Sequence, residues 1–123
     1  MIMTKDTIFS QLAETPYAFK FDERVAGVFD DMVKRSIPGY ENIIFMLRVL
    51  AAKFVVANSN CYDLGCSLGA SALSIRAGIE HPDCRIYAVD NSAAMIERCR
   101  ANIAIAPGIV PVEAVCDDIC NIE

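Results

Sequence analysis

The alternation of apolar and polar positions divides the chain into two helical stretches followed by short apolar runs that alternate with helices. From Asp22 onward, Val25, Val28, Phe29, Met32 and Val33 recur at helical spacing, while Asp30, Asp31, Lys34 and Arg35 fall on other faces. Asp22 is a capping type, because its carboxylate can accept the unpaired N–H groups of a first turn, and Pro38-Gly39 stops the helix. A second helix is predicted from Tyr40 to about Val56, with Ile43, Ile44, Leu47, Leu50, Ala51 and Phe54 as its buried stripe. Asn58-Ser59-Asn60 reads as a turn into a short strand that runs through Cys61 and Tyr62 to Asp63-Leu64.

Further along, Ala72, Leu73, Ile75 and Ile79 predict a small-residue helix over 70–80, able to lie flat on a sheet. His81-Pro82-Asp83 is a turn, and 84–90 is a second strand. Asn91 or Ser92 caps a helix that carries Met95, Ile96, Cys99 and Ile103 inward and ends near Ile105. Pro107-Gly108 breaks it, and 109–115 is a third strand leading to Cys116-Asp117-Asp118-Ile119. Short apolar strands joined by helical crossovers predict α/β architecture, with a parallel sheet covered on its faces. Residues 1–21 read as an arm. Its Phe9, Tyr17, Phe19 and Phe21 are too apolar to stay in water, so it is expected to pack on its own domain or on a partner subunit.

Composition narrows the class. The 123 residues suit one domain, and 54% of them are hydrophobic, above the roughly 45–50% of an average soluble domain. Membrane association is not expected, because the longest apolar run, Ile43 to Ala52, is interrupted by Arg48 and falls well short of the ~20 residues of a span. The net charge is −5, without a Lys/Arg cluster, so no direct grip on nucleic acid is expected. The six cysteines fall within apolar patterns and no signal-peptide pattern precedes them. Free thiols in a cytoplasmic protein are therefore expected. There is no C-x-x-C, His81 is the single histidine, and no metal is expected.

Candidate chemistry gathers around Asp63-Leu64-Gly65-Cys66-Ser67-Leu68-Gly69. A strand, a glycine turn and a helix start leave N–H groups pointing above the strand end. Asp90 follows Gly69 at about the 20-residue offset at which nucleotide-binding folds place a ribose-gripping acid. Ser67 stands where a dinucleotide fingerprint has glycine, which points to a nucleoside without a diphosphate. Asp90 can take the ribose diol or cap the following helix, and Asn91 can contact ribose or adenine or serve only as a cap. Of Asp117 and Asp118, one can accept the adenine amine. Asp63 suits either a ligand ammonium or the loop backbone. Cys66 reads as a small filler rather than a nucleophile.

These motifs resemble the S-adenosylmethionine-binding motifs of class I methyltransferases. With Asp22-Glu-Arg-Val25, Arg35-Ser-Ile-Pro-Gly-Tyr40 and Asp90-Asn-Ser-Ala-Ala-Met-Ile-Glu-Arg-Cys99, the chain is similar to the N-terminal half of the carboxy-S-adenosyl-L-methionine synthase family. The resemblance implies a Rossmann-like class I methyltransferase fold truncated after the third parallel strand, with two N-terminal helices at 22–57 and an incomplete ligand domain over 58–123. It implies carboxyl transfer from prephenate to the methyl carbon of S-adenosylmethionine, for wobble-uridine modification in tRNA, by a homodimer. It places Tyr40 at the added carboxylate, Gly65, Cys66 and Ser67 along the methionine portion, Asp90 and Asn91 at the ribose, and Asp118 and Ile119 at the adenine. The downstream arginine that such enzymes set against the extra carboxylate is absent from these residues. An ordinary methyltransferase and a nucleoside-binding fragment without chemistry are the alternative readings.

Overall fold

The computed structural model describes residues 22–122; the arm proposed for 1–21 lies outside them. Asp22 caps the first helix as its residue type predicts: its Oδ1 accepts the N–H groups of Arg24 at 3.0 Å and Val25 at 3.2 Å. That helix, α1, spans Glu23–Ser36, and α2 spans Tyr40–Phe54. There follow β1 (Asn60–Leu64), α3 (Ala70–Gly78), β2 (Arg85–Asp90), α4 (Ala93–Ile105) and β3 (Val112–Cys116), then a single 3₁₀ turn at Ile119–Asn121. Ser92, rather than Asn91, caps α4, its hydroxyl accepting the Met95 N–H at 3.2 Å.

The three strands are parallel in the order β1-β2-β3, so β2 is paired on both edges. Tyr62 stands opposite Tyr87, and Ala88 opposite both Asp63 and Ala114. The third strand begins later than its apolar pattern predicts, at Val112 instead of Ile109. Pro111 explains the shift, since it has no N–H for the ladder; its carbonyl instead accepts the Ile86 N–H at 3.0 Å.

One core unites Ile86 and Ala88 of β2 with Ala72 of α3 and with Ile96 and Cys99 of α4. A smaller cluster joins Val25 and Ala26 of α1 to Met95 of α4, with Phe29 and Leu68 against it. Two expectations fail. The sheet is evenly covered on one face only among the described residues: Ile86 and Ala88 are fully buried, whereas on the other face Tyr62 is 47% exposed and Leu64 55%, with Tyr87 half-buried and Val89 buried beside them. Successive crossovers that step the same way across a sheet carry their helices to the same side, which leaves the other side without a crossover helix. The predicted stripe of α2 is also mostly uncovered. Ala51 is buried, Ile44 and Leu47 are half-buried, and Ile43, Leu50 and Phe54 are exposed. α2 packs closely against α3, where Gly78 lies so near the Arg48 carbonyl that a Cβ there would sit 2.1 Å from its oxygen.

Candidate functional site

The glycine turn between β1 and α3 is held by backbone geometry that its residues make accessible. Gly65, Ser67 and Gly69 all take positive φ, at 80°, 52° and 92°. Glycine enters that region without strain, while Ser67 needs a restraint there. Asp90 supplies it: its Oδ2 accepts the Ser67 N–H at 2.9 Å. Its Oδ1 accepts the Ser92 N–H at the same distance. The N–H groups of Gly65 and Cys66 both reach the Val89 carbonyl, at 2.8 and 2.9 Å. The loop is thus fastened to the tip of β2, the strand whose final residue is Asp90. The carboxylate proposed for a ribose therefore also organises the loop, with each oxygen keeping acceptor capacity. It does not cap α4, a role that falls to Ser92.

Two adjoining cavities open above the strand tips. One, of about 360 Å³, is lined by Leu64, Gly65, Ser67, Asp90, Asn91, Asp117, Asp118 and Ile119. The other, of about 200 Å³, is walled by Phe29, Asp30 and Val33 of α1, by Ile37 just after it, by Tyr40 of α2 and by the loop residues Gly65 to Leu68. They share Gly65 and Ser67. Tyr40, Gly65, Cys66, Ser67, Asp90, Asn91, Asp118 and Ile119, to which the resemblance gave ligand roles, each line one or both, whereas Asp63 lines neither. The first cavity falls in the size range of small-molecule sites, roughly 300–1,000 Å³.

The charges at this rim are negative. Asp118 caps the 3₁₀ turn by accepting the Cys120 N–H at 2.8 Å; that backbone bond holds its carboxyl below the usual range and keeps it ionised. Asp117 accepts from the Asp118 N–H and from the Asn121 amide. Asp63 is pushed upward, chiefly by burial; the Ala72 N–H opposes the shift and the neighbouring Asp90 charge adds to it. Its Oδ2 is buried without a hydrogen-bond partner. The alternative that gave Asp63 to the backbone is met at one point, the Ala72 N–H at the start of α3, while a second acceptor atom stands vacant.

Burial raises Tyr40, with the carboxylates of Asp30 and Asp63 adding to the effect, so its hydroxyl stays a donor. Cys66 is raised by its hydrogen bond with Cys99 and by burial. A raised pKa keeps the thiol protonated and weakly nucleophilic. All six cysteines are free. Among the described residues no group of acids, histidines and cysteines is arranged to hold a metal, and no helix is long and apolar enough to cross a membrane.

Sequence reasoning did not find Asp30, Phe29 or Asn102. The first two read as ordinary positions of an amphipathic helix. Asn102 sits on α4 and donates its Nδ2 to the Leu68 carbonyl at 2.9 Å. A polar residue three positions after the buried Cys99, on the same side of a helix, was the available signal.

No family model matches the chain. Curated relatives do. The chain is 54% identical over 125 aligned residues to the carboxy-S-adenosyl-L-methionine synthase of Pasteurella multocida, matching 98% of this chain and 50% of that protein. It is 53% identical to the synthase of the same name from Klebsiella pneumoniae, over 96% of this chain and 48% of that protein. A third, from Shewanella sediminis, is 51% identical over 100% of this chain and 51% of its own length. The chain thus spans about half the length of the curated relatives it matches. Among solved structures, a putative S-adenosyl-L-methionine-dependent methyltransferase from Methanococcus maripaludis superposes with a TM-score of 0.62, at 24% identity, over 85% of this chain and 45% of that one. The fold is the Rossmann-like one of class I methyltransferases, here with three parallel strands and the two preceding helices.

Proposed function

With that likeness as premise, we propose that this chain forms the S-adenosylmethionine-binding part of a carboxy-S-adenosyl-L-methionine synthase. The reaction is carboxyl transfer from prephenate to the methyl carbon of S-adenosylmethionine, and its product serves tRNA wobble-uridine modification. When bound, S-adenosylmethionine would supply a sulfonium that acidifies its methyl group. The methyl would give up a proton and gain the carboxyl group that prephenate loses. Prephenate, losing hydroxide as well, would become phenylpyruvate, the proton and hydroxide leaving as water. The observation that carries this reading is the pair of adjoining cavities sharing Gly65 and Ser67, rimmed by carboxylates on one side and closed by Tyr40 on the other.

The residues divide the work by chemistry. Asp90 and Asn91 offer acceptors to the ribose diol. Asp118 accepts from the adenine amine, and Ile119 lies against the ring. Gly65, Cys66 and Ser67 let the methionine portion run close to the backbone. Acidic lining favours a cationic sulfonium over a neutral or anionic nucleoside. Tyr40, a protonated donor at the mouth of α2, meets a carboxylate there. A second reading, methyl transfer alone, is favoured by one fact. No lysine or arginine lines either cavity, so within the described residues the extra carboxylate has no cationic partner.

Calorimetric titration with S-adenosylmethionine tests the binding assignment. The chain is expected to bind, and Asp90→Asn to bind at least tenfold more weakly, about 1.4 kcal/mol, since an amide puts a donor where the Ser67 N–H needs an acceptor. Binding that is indifferent to Asp90→Asn overturns the assignment. Mass spectrometry of the reaction with prephenate separates the two chemistries. A carboxylated nucleoside supports the first, a methylated acceptor formed without prephenate the second, and binding without turnover a nucleoside-binding module.

A further inference from the structure

Asn102 belongs to none of the groups assigned above, yet it touches the loop on which they depend. We propose that Asn102 is a positioning residue for the ligand loop, a claim that rests on the nucleoside reading of the site. Its amide reaches the Leu68 carbonyl at 2.9 Å, joining α4 to the loop across 34 positions of sequence. The contact around it is otherwise apolar and very close: a Cβ on Gly69 would come within 2.8 Å of the Cys99 sulfur. Gly69 therefore has to stay bare, and its φ of 92° is reached freely only by glycine. The same bareness makes the Leu68–Gly69 peptide easy to rotate, because glycine restrains neither of its senses.

Polar contacts limit that freedom from opposite sides. Asp90, on the β2 side, accepts the Ser67 N–H. The Gly69 N–H donates to the Cys66 carbonyl within the loop, and Asn102, on the α4 side, donates to the Leu68 carbonyl. Leu68 and Ser67 both line the smaller cavity, so the peptide that Asn102 holds is part of its wall. Without the amide, the Leu68 carbonyl loses its protein donor, and its peptide is held at the nitrogen end alone, by the Gly69 N–H that donates to the Cys66 carbonyl at 2.9 Å. A carbonyl that tilted toward the cavity about that bond would present an acceptor to an already acid-rich space and shift the Ser67 backbone. Asn102 thus acts through the loop, without contact to the ligand.

The test compares Asn102→Leu and Asn102→Ala, which lack the donor, with Asn102→Gln, which keeps an amide. S-adenosylmethionine affinity is measured by calorimetry, ligand-free melting by circular dichroism, and amide hydrogen exchange at 67–69 by NMR. The donor-less variants are expected to bind about five- to tenfold more weakly, the scale of one lost hydrogen bond, with faster exchange confined to the loop. Asn102→Gln is expected to recover most of the affinity. A purely structural role would lower the melting temperature without changing affinity or loop exchange, and that result overturns the proposal, as does equal weakening by Gln. If the unaltered chain binds no S-adenosylmethionine, the function reading falls. Loop exchange then decides the positioning role: faster exchange in the Leu and Ala variants supports it, and unchanged exchange refutes it.

Discussion

The two faces of the sheet have similar residues and opposite fates. On the helix-covered face, Ile86 and Ala88 lie at zero exposure beneath α3 and α4. On the other, Tyr62 and Tyr87 stack with ring centroids 5.3 Å apart; Tyr62 and Leu64 are exposed, Tyr87 is half-buried, and of these with Val89 only Val89 is buried. α2 carries a separate exposed stripe: Ile43, Phe45, Met46, Val49, Leu50 and Phe54 are all exposed along it. Apolar character alone therefore does not measure what a residue contributes. A side chain stabilises the fold by the water it sheds and the neighbours it meets, and only the covered face provides both.

The sharpest way to break this comparison is a pair of truncations of like chemistry. Ile86→Ala removes a fully buried side chain from the doubly paired strand and is expected to cost about 2–5 kcal/mol, read as a large drop in denaturant midpoint. If that variant unfolds outright, Ala88→Gly, a smaller truncation in the same layer, carries the measurement.

A smaller effect is expected at Asp63, whose Oδ2 is buried without a hydrogen-bond partner. Its carboxyl is raised in the folded state, mainly by burial. The folded protein therefore binds that proton more tightly than the unfolded chain, and stability from this group is complete below the ordinary value of 3.8. It is lost as pH rises through the raised folded value. Asp63→Asn should thus be more stable than the parent at neutral pH, and the gap should close toward pH 4 and below. A gap that widens on acidification would reverse the sign. Asp118, which is lowered instead, contributes in the opposite sense in both proteins and cancels in the difference.

The smallest change is predicted on the open side. Leu50→Ser or Phe54→Ser should alter stability by no more than about 0.5 kcal/mol, because neither side chain is buried. Both should reduce self-association measured by sedimentation, since the exposed apolar stripe of α2 and the unpaired edge of β1 are the surfaces that favour it. A large loss of monomer stability in either variant would show that α2 is packed more tightly than its exposure indicates.

Much of this was legible beforehand. The helical periods of α1 and α4, the caps at Asp22 and near Ser92, and the glycine turn all follow from local rules, because each is set by residues within a turn or two of one another. The pairing of Asp90 with the loop was legible in part: its offset identified a strand-end acid, but the hydrogen bond to Ser67 needed the two strand tips to be seen side by side. The α2 stripe was misread for a related reason. Helical spacing shows which residues share a face, but not whether anything lies opposite that face. Asn102 was missed because its partner is a backbone carbonyl, which has no residue type to recognise.

What the residue order determined by itself is the succession of elements, the capping and the stereochemical freedom at Gly65 and Gly69, since these depend on dihedral preferences and on periods of a few residues. What only the tertiary structure decided is which apolar side chains lose their water, which side of the sheet the helices take, and how Asp90 and Asn102 hold one loop from two directions. Those are distances between parts of the chain far apart in sequence, and folding in three dimensions is what brings them within hydrogen-bonding range.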